Sequence, residues 1–274
     1  MAGLKAPSIG LPAGRKNASD FAPAVEVDDL ITLIERGPRL AWSIACECPC
    51  NGPNPQTDQI DPNCPKCRGE GVFYTGPKNY VAPAEAGMLT ALHELILARD
   101  DGVVIRGVIS RVTRAQELFD IIGRWDRGTM QVSVRPENRI GYLDRLVNLD
   151  AVMTYAEVVT AGPVDVSLAL RYPAFAVTTV QSLTERWEED RDFAVRDGAI
   201  EWHAGRAPAE ATRLSVHYTM HPTWLVWTHP HVNRVYTSTR RGSPTTPTGT
   251  PTELPIQAAV RLEFLPVPSA AAGG

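Results

Sequence analysis

All five cysteines of this 274-residue chain lie between positions 46 and 67. They form the run Cys46-Glu47-Cys48-Pro49-Cys50, a spacer rich in Pro, Asn and Asp, and then Cys64-Pro65-Lys66-Cys67-Arg68-Gly69-Glu70-Gly71. A four-thiolate metal centre needs two short chelating pairs, each reaching the ion from a tight turn, joined by a loop that needs no core of its own. Pro49 and Pro65 fix φ beside a ligand, and Gly69 and Gly71 let the backbone fold round the ion. The pattern reads as a zinc knuckle or small zinc ribbon.

Cys64 and Cys67 form one ligand pair. Cys48 and Cys50 are the preferred second pair, with Cys46 as an alternative ligand. Disulfides fit poorly, because the count is odd, no cysteine lies elsewhere, and Met1 to Lys16 lacks the apolar stretch of a secretory signal. An iron–sulfur cluster also takes four thiolates and stays open as the alternative to zinc. A catalytic zinc keeps three protein ligands and an open position, whereas four thiolates leave none. The H-x-E that precedes P-C-x-x-C in nucleic-acid deaminases has no counterpart upstream of Cys64. The metal is therefore expected to be a structural staple, with Glu47 and Glu70 as bystanders.

Length implies two compact units plus a small module. The net charge of −4 and pI near 5.9 give no global basic field for nucleic acid. No apolar run is long enough to span a bilayer, so no membrane partner is expected.

Residues 1–24 have the Gly/Ala/Pro-rich composition of a flexible arm. Residues 25–82 form a helix and the Cys-rich module. Within them, Val27 to Arg36 places Leu30, Leu33 and Ile34 on one helical face before Gly37-Pro38, although a hairpin arm is an equal reading. Leu40 to Ile44 can run as a strand into the cysteines. Pro83 suits the first position of a helix over Ala84 to Arg99. Residues 83–160 then carry short β-prone runs at Val103–Val112, Glu117–Ile122, Thr129–Val134, Tyr142–Leu149 and Ala151–Val159, which fit a small β-barrel because closure removes unpaired edges.

Residues 161–266 read as a C-terminal β-sandwich, with strands at Asp165–Leu170, Ala176–Leu183, Asp192–Val195, Ala199–Trp202, Arg213–Met220, Trp224–Trp227 and Ala258–Leu265. Arg196-Asp197-Gly198-Ala199 is a tight hairpin signal. Gly242 to Pro255 is expected to be an exposed loop that cannot pair, and 267–274 a flexible tail. The fold class is thus mainly β: a small N-terminal helix plus zinc knuckle, a small β-barrel and a C-terminal β-sandwich.

No P-loop, GxGxxG, GxSxG or HExxH motif is present. His217, His221, His229 and His231 could hold a second metal; the preferred reading puts them at strand ends beside Trp224 and Trp227. Glu188-Glu189-Asp190 reads as a solvated turn. The six tryptophans suggest exposed aromatics at a protein interface.

Several segments together resemble the neck proteins of tailed bacteriophages. These are the helix ending in Gly37, the Trp42 strand leading into the cysteines, Asp61 to Gly71, Asp192-Phe193-Ala194-Val195, Gly198 to Trp202, Ser215 to Tyr218, His221 to Trp224, and the final Arg261 to Leu265. The resemblance is strongest over 30–75 and 185–265. It implies a non-enzymatic virion structural protein of the head–tail connector, made in the host cytoplasm and located in the virion neck. Its subunits would form a homo-oligomeric ring of about twelve or about six copies. Portal or adaptor and tail proteins would be its neighbours, and DNA would pass through the lumen without sequence-specific binding. A tail-terminator or minor tail protein with zinc or an iron–sulfur cluster is the alternative. A zinc-ribbon enzyme or nucleic-acid binder is the second alternative, although only Lys66 and Arg68 lie beside the knuckle to serve it.

Overall fold

The computed structural model describes residues 27–51, 63–67, 69–85, 87–111, 129–163, 166–227, 235–236 and 252–264. The arm at 1–24, the tail at 267–274, the strand expected at Glu117–Ile122, and His229 and His231 lie outside the described residues.

The chain is mainly β, built on a closed six-stranded antiparallel barrel. Its strands are β1 (Arg39–Glu47), β3 (Val103–Arg111), β4 (Thr129–Val134), β15 (Ile256–Leu262), β12 (Thr223–Val226) and β5 (Arg145–Asn148). The ring closes where β5 pairs with β1, Leu40 opposite Asn148 and Trp42 opposite Leu146. Side chains alternate across each strand. Leu40 and Trp42, Val132 and Val134, and Ala258 and Val260 therefore fill the interior, together with Leu146, Trp224 and Val226. On the outside, Ala41, Val147 and Leu149 pack against Ile96 of helix α2 (Ala91–Arg99). Burying Trp42 and Leu40 stabilises the barrel by about 2 kcal/mol or more each.

Residues 153–220 are inserted between β5 and β12. Strands β6 (Met153–Thr160), β7 (Ala174–Gln181), β8 (Arg186–Trp187) and β11 (Arg213–Met220) form a sheet in the order β6-β11-β7-β8. The hairpin of β9 (Phe193–Arg196) and β10 (Ala199–Trp202) shares its core, as Phe193 and Ile200 meet Val177, Val180, Leu214 and Val216. The turn between them is the expected one: Asp197 and Gly198 have φ of 48° and 72°, both left-handed.

The chain path departs from two consecutive domains at 83–160 and 161–266. The barrel takes β1 from before residue 83 and takes β12 and β15 from the C-terminal part, while β6 belongs to the inserted sheet. Closure explains this, since the free edges of β4 and β5 are satisfied by β15 and β12.

Smaller differences have local causes. The helix expected over Ala84–Arg99 begins only at Ala91, because Gly87 has φ of 68° and Thr90 caps the helix by accepting from the His93 N–H at 3.3 Å. Helix α1 (Val27–Glu35) forms, but of its expected apolar face Ile34 is buried while Leu33 stays 55 % exposed. Of the strand expected at Asp165–Leu170, Asp165 lies outside the described residues, and the described part contributes a bridge from Leu168 to Ile200. Within the loop expected at Gly242–Pro255, β14 (Thr252–Glu253) pairs with β13 (Val235–Tyr236), since these two residues carry free N–H groups between Pro251 and Pro255. Among the tryptophans, Trp42, Trp187 and Trp224 are buried core residues and not interface aromatics.

Candidate metal centre

Strand β1 outruns the barrel. Its second half, from Ile44 to Glu47, leaves β3 and β5 and pairs with β2 (Val72–Thr75), Cys46 opposite Phe73 and Glu47 opposite Val72. The cysteine turns sit at the tip of this hairpin. Cys48 follows the strand with its N–H bonded to the Gly71 carbonyl at 2.8 Å, and Cys50 lies in the short 3-10 turn Pro49–Asn51. The second pair closes in a turn whose Glu70 N–H donates to the Cys67 carbonyl at 2.9 Å. Gly69 and Gly71, with φ of 83° and 76°, then turn the chain back into β2, a path that a side chain at either position would strain.

These turns bring Cys48, Cys50, Cys64 and Cys67 together, with all four sulfurs within 4.8 Å of one another. The Cys48 and Cys64 sulfurs are 3.7 Å apart, and those of Cys50 and Cys67 are 3.3 Å apart. A tetrahedral ion with metal–sulfur bonds of about 2.3 Å holds its sulfurs roughly 3.8 Å apart. The four residues can thus bind a metal ion. Cys46 is outside the set: it is held in the β1–β2 ladder ahead of the turn.

The site is shielded and electrostatically prepared. Cys48, Cys64 and Cys67 are buried, Phe73 packs against them, and the Lys66 ammonium sits 3.7 Å above the Phe73 ring. The N–H groups of Cys67 and Lys66 draw the Cys64 thiol down to about 7, the direction a metal ligand needs. The Cys50 N–H pulls the Cys48 thiol down, but burial together with the hydrogen bonds to the Cys64 and Cys67 sulfurs outweighs it and leaves that thiol raised. The hydrogen bond to Cys67, followed by burial, raises the Cys50 thiol. Such protons leave when a cation supplies the charge that four thiolates require.

A cleft of about 770 Å³ separates the hairpin from the inserted sheet, with Lys66, Phe73, Leu95, Leu170 and Asp197 among its walls and Arg145 in its lining. Arg145 is 5 % exposed and holds Asp100 at 2.7 Å and Glu263 at 2.6 Å. Sequence reasoning missed this ion triad. Its signal was present in the adjacent charges Asp144-Arg145 within the apolar run Tyr142–Leu149.

The histidines do not form a second metal set among the described residues. His217 is exposed on β11, whereas His221 is buried with its ring centre 5.0 Å from that of His93. Glu188 and Asp192 flank Arg191, which pairs with both at 3.0 and 2.8 Å.

No protein-family model matches this chain, and no curated protein shows significant similarity to it.

Proposed function

We propose that the chain is a non-enzymatic structural subunit of the head–tail connector of a tailed bacteriophage, stapled by one zinc ion on Cys48, Cys50, Cys64 and Cys67. The observation that carries this reading is the closed four-sulfur set at the tip of a hairpin that continues a barrel strand. Zinc bound there would tie two coreless turns to the barrel and supply folding energy on the order of 10 kcal/mol. Four protein ligands leave no position for water or substrate, so the metal is assigned to architecture. Sulfurs within 4.8 Å of one another suit a single ion better than a polynuclear cluster, whose irons spread the thiolates apart. The connector assignment itself rests on the likeness of the sequence to phage neck proteins. In that setting the subunits would close into a ring between portal and tail, and the net charge of −4 would favour DNA sliding over DNA binding.

Native mass spectrometry of the purified chain, alone and with portal particles, combined with elemental analysis, tests the proposal. One zinc per chain and a closed ring, or a monomer that joins portal particles, are the expected results. Iron with visible absorbance would move the reading to a tail-terminator or minor tail protein. Turnover of any substrate that depends on the metal would overturn the structural assignment.

A further inference from the structure

The barrel and the inserted sheet meet at a small cavity of about 20 Å³, lined by residues of both. A space of this size holds one water, for which roughly 10 to 15 Å³ suffices. Three of its lining residues each carry a buried polar atom without a protein partner: Arg145 Nε, Tyr172 Oη and His221 Nε2. The residues are only 5, 3 and 5 % exposed, so bulk solvent does not serve these atoms. An orphaned polar atom at such depth is costly, and three on residues that line one cavity point to a shared ligand.

The chemistry of the three atoms defines that ligand. His221 Nδ1 lies 2.8 Å from the Ala151 carbonyl oxygen and 3.2 Å from that of Asn148. Carbonyls only accept, so in the neutral imidazole Nδ1 carries the proton and Nε2 presents a lone pair. Arg145 Nε–H can only donate, and the Tyr172 hydroxyl can do either. We propose that the cavity binds one water molecule, which accepts from Arg145, donates to His221 and exchanges a hydrogen bond with Tyr172.

Ions fit less well. The Arg145 charge already faces Asp100 and Glu263, so an added anion would meet carboxylates and the imidazole lone pair, and an added cation would meet the guanidinium. Neutral water satisfies all three atoms at once. Because Arg145 belongs to β5, Tyr172 precedes β7 and His221 joins β11 to β12, the water would cross-link the barrel to the inserted sheet at both the entry and the exit side of the insertion.

A crystal structure of the full chain at a resolution that orders waters is the direct test. One isolated peak at about 2.7–3.2 Å from the three atoms is expected. Side chains rotated to pair directly with protein groups, or a cavity without density, would overturn the proposal. An anomalous peak at this position after a bromide or rubidium soak would replace water with an ion and overturn it too. In solution, long-range ¹H–¹⁵N spectra should show the His221 proton on Nδ1 and a contact from the ring to a long-lived water. A proton on Nε2 would remove the acceptor on which the site depends.

Discussion

The Arg145 guanidinium lies 3.7 Å above the centre of the Tyr74 ring. This stack joins a barrel strand to the return strand of the cysteine hairpin, and the same guanidinium binds Asp100 after α2 and Glu263 after β15. One buried cation thereby fixes four segments. Replacing it by Arg145→Met would strip the largely buried Asp100 and Glu263 carboxylates of the guanidinium between them, leaving Asp100 only the Arg99 side chain at 3.9 Å, and should cost about 3–5 kcal/mol in denaturant unfolding. Adding Glu263→Gln should recover part of that loss, because the stranded charge is then removed. Equal stability of Arg145→Met and the wild type would mean that the triad is not a structural tie.

Cys46 and Cys48 are separated by a single residue but should differ sharply in metal retention. Cys46→Ser should keep one metal per chain by elemental analysis. Cys64→Ser combined with Cys67→Ser should lose it, with proteolytic sensitivity confined to about residues 40–80 while the inserted sheet stays protected. A strong chelator at neutral pH should reproduce the double-mutant pattern. Full metal content in the double mutant would break the assignment of these ligands.

How much of this was legible in the sequence depended on the range of the interaction concerned. That Cys48, Cys50, Cys64 and Cys67 come together was readable because turn chemistry and chelate spacing are local. Strands Thr129–Val134, Ala199–Trp202 and Arg213–Met220 were readable for the same reason, since alternation and the Asp197-Gly198 turn act within a few residues. The partners of the strands were not. Nothing near Leu40 indicates that it faces Asn148, or near Ala258 that it faces Val132. Those pairings are chosen by shared interior packing among segments from both halves of the chain. The shortened α2 shows the competing principle: Ala84 to Met88 has helix-compatible residues, yet the left-handed Gly87 and the Thr90 cap delay the start.

Asp144 and Asp150 should respond to acid with opposite sign. Burial and its cost hold the Asp144 carboxyl above the usual carboxylate range, despite N–H donors from Gly141, Ala45 and Trp42. Burial also acts on Asp150, but hydrogen bonds and charge from Arg39 outweigh it and hold that carboxyl low. A lowered folded-state value contributes stability above the ordinary value near 3.8 and loses it as pH falls through the folded value. A raised value does the reverse, so the Asp144 contribution is fullest below about 3.8 and fades as pH rises through its folded value. The stability gap between the wild type and Asp150→Asn should therefore be largest at neutral pH and shrink in acid. The gap for Asp144→Asn, offset by a constant loss of about 1–3 kcal/mol from amide hydrogens facing N–H donors, should widen in acid. Unfolding curves from neutral pH to below 3.8 would check both slopes, and parallel curves would contradict the assignment.

Gly198 gives the most local prediction. Its φ is 72°, and a Cβ built there would lie 2.6 Å from the Pro173 Cβ and 2.8 Å from the Pro173 Cα. Its carbonyl accepts the Ala174 N–H at 2.9 Å, so the hairpin tip is fastened to the first residue of β7 and cannot swing clear. Gly198→Ala combines left-handed strain with a backbone clash and should destabilise the protein by about 2–4 kcal/mol. Asp197→Gly, at φ of 48°, relieves strain and should change stability by less than about 1 kcal/mol. Hydrogen exchange would locate the Gly198→Ala loss in residues 168–202, where Leu168 and Ile200 exchange backbone bonds at 2.8 and 3.1 Å. Metal content of the variant should equal that of the wild type, because the cysteine turns are held by the β1–β2 ladder and not by this hairpin. A concurrent loss of metal would show that the two sides of the large cleft are coupled more tightly than these contacts require.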